Sequence, residues 1–237
     1  MKKKLLILLL SVMMLNAKAQ NWGGGIDQQD FNWGFSFQYI ASEFKLIRSP
    51  NWQDIFLDYE QGYIPITDKL ASISSPLSHG FGIGFVMNYK LNKNLDLRST
   101  PSLAFTDRLV DYKYQTSNVI PPDFTDGRVQ KKVSATMVDL PLGIKLKSER
   151  RKDFRAYLLL GAKYSLDLAS GKKVNDEDKA LIYKVLKNKK NFASYEAAIG
   201  FDLYFEYFKM SPELKVSHSF ADILKHENHP FATPIDK

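Results

Sequence analysis

The chain has 237 residues, the length of one ordinary domain, and its 44% hydrophobic and 25% charged residues exclude a disordered or collagen-like chain. It has no cysteine, which excludes a disulfide scaffold, a Cys-ligated zinc site, an iron–sulfur cluster and a cysteine nucleophile. The net charge of +7 is spread along the chain; it gives no case for nucleic acid and suits a surface that meets anionic lipid headgroups.

Residues 1–19 read as an address. Lys2, Lys3 and Lys4 precede the apolar stretch Leu5 to Leu15, and Ala17-Lys18-Ala19 is an A-x-A cleavage site. These are the three parts of a secretory signal peptide. The apolar stretch is too short to cross a bilayer core of about 30 Å, which takes about 20 helical residues. Residues 20–237 then form a single domain.

That domain is written in period two. In Trp33 to Ala41, Phe35, Phe37 and Tyr39 alternate with Gly34, Ser36, Gln38 and Ile40. Phe81, Ile83, Phe85, Met87 and Tyr89 alternate with Gly82, Gly84, Val86 and Asn88. After a turn at Leu91 to Asn94, Leu95, Leu97, Leu103 and Phe105 oppose Asp96, Arg98, Thr100, Ser102 and Thr106. Val138, Leu140, Leu142, Ile144 and Leu146 oppose Asp139, Pro141, Gly143, Lys145 and Lys147. A turn at Ser148 to Asp153 leads into Phe154 to Ser165. The loop Ala169 to Asn191 reads as carrying a short helix, opened by Asp176-Glu177-Asp178 and closed by Lys187, Lys189 and Lys190. Tyr195 to Tyr207 alternates again, and a turn at Phe208 to Ser211 precedes Leu214, Val216 and His218.

Side chains two apart share one strand face. Runs this long exceed the usual strand of about 5–6 residues and match the 9–11 or so needed to cross a membrane. Connections alternate long (43–79, 107–132, 169–191) and short (91–94, 148–153, 208–211), and the first part of the second long one, Leu109 to Tyr114, can prolong a strand. Outer-membrane barrels have that asymmetry, and Tyr89, Tyr164 and Tyr207 at strand ends suit an aromatic girdle. The expected fold is all-β, a small antiparallel transmembrane up-and-down barrel of eight-stranded design with seven strands visible.

With the apolar face toward lipid, the inner face holds Asp96, Arg98, Asp139, Lys145, Lys147, Arg155, Lys163, Asp167, Glu196, Asp202, Glu206, Glu213 and Lys215. About eight strands enclose only packed side chains, so balanced acids and bases are expected to bridge and fill the lumen rather than line a channel. Glycines 80, 82 and 84 fall inside a strand and are expected to make room in the lumen. Catalytic signals are weak. His218, His226 and His229 read as rim histidines, and His226-Glu227 lacks the spacing of a zinc helix motif. Neither metal nor cofactor nor catalytic residue is expected.

The ordered set Gly80-Phe-Gly-Ile-Gly-Phe85, Leu91 to Arg98, Thr100 to Arg108, Val138 to Arg150, Arg155 to Ala169 and Tyr195 to Val216 resembles the PorT family of Bacteroidetes outer-membrane proteins. The resemblance implies a non-enzymatic barrel of the type IX secretion system, with outer-membrane lipid and other secretion-system proteins as partners. It supplies no catalytic residues; Arg108 and Asp107 join the residues above as structural elements of lumen and rim. Members that look like this continue past the equivalent of Lys237 into a last strand. Since single-chain barrels have even strand numbers, the expectation is a chain that needs a final strand for stable insertion. The other expectation is a generic small barrel with adhesive or ligand-binding outer loops, with Trp52, Phe56, Tyr59 and Tyr63 as the surface.

Overall fold

The computed structural model describes residues 29–59, 62–115, 127–168 and 180–236. The expected leader at 1–19 and the acids expected to open the loop helix lie outside them; of that helix the described residues hold one 3-10 turn, Leu181–Tyr183, with no side-chain cap.

The strands are β1 (Phe31–Ser42), β2 (Leu57–Asp58), β3 (Ile64–Pro65), β4 (Leu70–Ser74), β5 (Ser78–Lys90), β6 (Leu95–Ser99), β7 (Ser102–Tyr114), β8 (Arg128–Lys147), β9 (Phe154–Asp167), β10 (Asn191–Tyr204), β11 (Lys209–Met210) and β12 (Glu213–Ser219). Strands β6 and β7 are one strand interrupted at Thr100–Pro101. The register against β5 runs unbroken from Met87↔Ser99 to Gly84↔Ser102, and Pro101, which has no N–H to give, still accepts from Phe85 N at 2.9 Å. Seven long antiparallel strands therefore follow one another as β1, β5, β6/β7, β8, β9, β10 and β12, while β4 extends the outer end of β7. The tight turns lie at one end, the long connections at the other.

Burial alternates strictly along β1, β5, β8, β9 and β10. Outward stand Phe35 and Phe37 of β1, Phe81, Ile83 and Phe85 of β5, Leu140 to Leu146 of β8, Leu158 and Leu160 of β9, and Ile199 of β10, all exposed. Such an outer surface is stable only against lipid, where the ladders between neighbouring strands pair the backbone groups they share. Tyr39, Tyr164 and Tyr195 flank this band toward the long-loop end, and Phe31, Tyr89 and Phe154 at the tight-turn end. Tyr207 is different from its expected place: β10 stops at Tyr204 and Tyr207 sits in the exposed turn that follows.

The glycines make room, but for neighbouring backbone rather than for lumen space. Gly143 and Gly161 face each other across β8 and β9, and a Cβ on Gly161 would lie 2.7 Å from the Gly143 Cα. A Cβ on Gly80 would run into the Phe105 carbonyl oxygen. Close approach of two strands is what these positions require.

Above the band the pattern inverts. On β8 the outward residues become Arg128, Gln130, Lys132 and Ser134, and the inward ones Val129, Val133, Ala135 and Met137. On β7 the inward Val110, Tyr112 and Tyr114 are buried. The β7–β8 hairpin thus rises out of the membrane: β7 continues through Leu109 to Tyr114, the stretch that could prolong a strand, and β8 begins at Arg128, inside the expected 107–132 loop. Its inner face packs with Phe44, Leu70, Ile73, Ile182, Leu186, Leu224, Phe231 and Ile235 into a hydrophobic core made from the long connections. The segment 220–236 closes this cap: Tyr112 Oη donates to the Phe231 carbonyl at 2.5 Å, and Asp236 N to the Ile47 carbonyl at 2.8 Å.

Candidate functional site: the paired lumen and the open seam

The inward positions of the membrane belt bring most of the expected residues together. Lys145 of β8 donates to both carboxylate oxygens of Asp202 of β10 at 2.8 Å, reaching past β9, and both side chains are 1% exposed. The Ser211 hydroxyl adds a 2.7 Å bond to Asp202, and the Lys145 ammonium lies 3.7 Å from the Tyr157 ring centroid. Arg98 of β6 pairs with Glu213 of β12 at 2.9 Å, crossing the lumen; Tyr157 Oη donates to the same carboxylate at 2.8 Å. Lys147 pairs with Asp96 at 2.5 Å, Lys163 with Asp139 at 3.1 Å, and Lys215 with Glu196 at 3.3 Å and Glu213 at 3.5 Å. Ser165 donates to Asp139 at 2.6 Å. Arg155 is inward on β9, level with Asp202 of β10.

Glu206 departs from the expectation. Period two carried through Tyr207 put it on the inner face, but β10 ends two residues earlier and Glu206 is exposed in the tight turn. Tyr157 and Ser211, which complete the network, were not singled out in the sequence; an inward tyrosine is unremarkable until its charged neighbours are known.

The histidines do not gather. His218 points outward beside Tyr195, edge to face at 5.6 Å. His226 shares Asp222 with Lys189, at 2.8 and 3.0 Å. His229 is no rim residue: it is 1% exposed inside the cap, its Nδ1 accepting the Phe231 N–H at 3.3 Å. The aromatic surface expected on the first long loop also divides. Trp52 packs against the cap core under the Arg48 guanidinium, whereas Tyr59 and Tyr63 are exposed and stack edge to face at 5.3 Å.

The sheet does not close on itself. Among the described residues β1 pairs with β5 alone among the strands, and β12 with β10 alone. Between their free edges opens a cavity of about 1140 Å³ that reaches back to the lumen wall at Arg98, Thr106 and Arg108. Arg108 lies with its guanidinium 5.5 Å from the Phe44 ring centroid, and its Nη1 is buried without a hydrogen-bond partner. Ser36 Oγ of β1, Thr106 Oγ1 and Arg98 Nε, which line the same cavity, are buried and unpartnered too.

A family model described as an outer membrane protein beta-barrel domain matches residues 18–225. No curated protein and no solved structure matches the chain.

Proposed function

The chain belongs to the family of outer membrane protein β-barrel domains, and from the resemblance of its sequence we propose that it is a non-enzymatic accessory barrel of a protein secretion machine of the type IX kind. The outer membrane is its place. Export through a leader cleaved near residue 19 belongs to the same reading, as do the neighbouring secretion-system proteins as partners.

One observation carries the choice of accessory over conduit: ion pairs reach across the lumen at its tight-turn end, Arg98 to Glu213 and Lys145 to Asp202, below the cavity. A buried pair is costly to break, because each partner left alone is an uncompensated charge. A path for polypeptide along this axis would have to break several at once, and the hydrophobic cap stands over the outer mouth. What such a barrel offers a secretion machine is its surface, its edges and its cap. The test is deletion of the gene in its host, scored for where secreted cargo accumulates. Cargo retained in the periplasm and released on complementation is the expected result; normal release refutes the reading.

The second reading, ligand capture or adhesion by the outer loops, has its own observation in the exposed Tyr59–Tyr63 pair. Normal secretion combined with lost surface binding in a Tyr59→Ala/Tyr63→Ala variant would favour it.

A further inference from the structure

We infer that the seam between β1 and β12 is a docking site for one extended strand of a partner polypeptide, running antiparallel to both edges, with apolar side chains toward lipid and a hydrogen-bond acceptor, best a carboxylate, toward Arg108.

The direction follows from parity. Seven antiparallel strands in sequence leave the first and the last running the same way, from the tight-turn end to the long-loop end. Pairing β1 with β12 directly would be a parallel match in an otherwise antiparallel sheet. One strand of opposite direction satisfies both edges with the antiparallel ladder used everywhere else in the barrel. The drive is strong, since each unpaired backbone group facing the bilayer core costs several kcal/mol.

The side-chain pattern follows from the two neighbours. Outward on the edges stand Phe35, Phe37, Leu214 and Val216, all exposed, so the partner's outward residues must be apolar. Inward lies the cavity with its four orphaned polar atoms, on Ser36, Thr106, Arg98 and Arg108. Of the cavity's other cations, Arg98 has Glu213, Lys163 has Asp139 and Lys215 has Glu196, while Lys45 is exposed to solvent. Arg108 has no ion pair among the described residues, and the guanidinium keeps its charge at any ordinary pH. An alternating strand with an acidic residue at that level answers both features.

A second copy of this chain fits less well. Standing the same way up in the membrane, its β1 and β12 would meet these edges in parallel, and its own cap and filled lumen would leave Arg108 unreached. The inference deepens the accessory reading and rests on it for the nature of the partner, but its test reads strand capture directly, whereas the cargo assay reads secretion.

The test uses the full 237-residue chain folded in detergent micelles, with amide exchange read strand by strand. The probe is a synthetic peptide of about 11 residues, the length of a membrane-crossing strand, alternating Leu or Val with Ser or Thr and carrying one inward Asp. In the free chain the edge-facing amides of β1 and β12 should exchange much faster than those of β8 and β9. The peptide should slow both edges together and saturably, while a peptide of the same composition without alternation should not. Replacing Asp by Asn in the peptide, or Arg108→Gln in the protein, should weaken binding about tenfold, as expected for loss of one charge-assisted hydrogen bond. Unchanged exchange in β8 and β9 of the Arg108→Gln protein guards against misfolding, and Arg108→Lys should recover part of the affinity. The inference is overturned if edge amides are already as slow as those of β8 in the free chain, if a longer form of this chain protects both edges with a strand of its own, if slowing tracks a doubling of the protein's mass, or if the scrambled peptide protects equally.

Discussion

The lower and upper halves of β8 are one continuous strand with opposite chemistry. From Val138 to Lys147 the outward side chains are apolar and the inward ones include Asp139, Lys145 and Lys147. From Arg128 to Ser134 the outward side chains are polar, and the inward ones, Val129 and Val133, are buried in a hydrophobic core. The medium outside the strand decides which face is apolar. In the belt, outward apolar groups face lipid and gain nothing by leaving water for a protein core, so cohesion comes from backbone ladders and the paired lumen. In the cap, water outside makes burial of Tyr112, Leu70 and Phe231 the main favourable term. The same element thus serves two solvents, and its two halves should fail under different insults.

The sharpest separation comes from the Lys145–Asp202 pair. Asp202→Ala leaves a buried ammonium in the belt and should cost about 3–5 kcal/mol, whereas Lys145→Met with Asp202→Leu should lie near wild type. Urea midpoints of the barrel refolded in lipid vesicles read both; equal losses for the single and double variants would show that the pair is not what holds the belt. Next comes an arginine scan along one face of one strand. Leu142→Arg should cost about 2–4 kcal/mol, as a cation at bilayer depth does, while Gln130→Arg, on the same face of β8 above the membrane, should change stability by less than about 0.5 kcal/mol. Similar costs at both positions would erase the proposed boundary. The cap has its own counterpart in Leu70→Ala, a cavity in the core worth about 2–3 kcal/mol. It should release protection around Val110, Tyr112 and Phe231 and leave the β9–β10 ladder untouched in amide exchange.

The belt was legible in the sequence because strict alternation over Phe81–Tyr89, Val138–Leu146 and Phe154–Tyr164 has few other physical meanings. Which inward charges would pair was not legible. Arg98 and Glu213 are 115 residues apart, and only the order and register of the three strands between theirs in the sheet, β8, β9 and β10, bring them to 2.9 Å. The cap was missed for a different reason. Its signal is a change of hand within one strand: after Leu109 the even positions of β7 turn apolar (Val110, Tyr112, Tyr114) and the odd ones polar (Asp111, Lys113). Read with a single in-or-out rule, that change looks like the end of the strand. Glu206 failed through the opposite error, a period carried across a turn by the run Phe205 to Phe208.

The smallest expected effect isolates how the cap is fastened. The strip 187–189 meets 222–227 through the Asn188↔Leu224 bridge, with Lys189 N donating to the Ile223 carbonyl and Lys225 N to the Lys187 carbonyl, each at 2.8 Å. Two carboxylates hold the strip. For Asp222, burial acts to raise the pKa, but hydrogen bonds from Lys189, the Leu224 N–H and His226 outweigh it and leave it below its ordinary value. Glu227 is likewise lowered, with burial outweighed by Lys225 at 2.7 Å and Lys187 at 3.0 Å. A carboxylate with a depressed folded pKa binds fewer protons folded than unfolded in the window between the two values. Its contribution is therefore complete above the unfolded pKa of about 4 and lost as pH falls through the lower folded value. Both pairs are partly exposed, so about 0.2–1 kcal/mol each is the appropriate scale. Acidification from pH 6 to about 3 should then speed exchange at Lys189 and Leu224, after correction for intrinsic rates, while the core of the belt stays protected. Asp222→Asn should remove its share of that pH dependence, Asp222→Asn with Glu227→Gln most of it, and added salt should blunt it. If belt and cap loosen together over the same pH range, the two halves are one cooperative unit and the division drawn along β8 is only a change of surface.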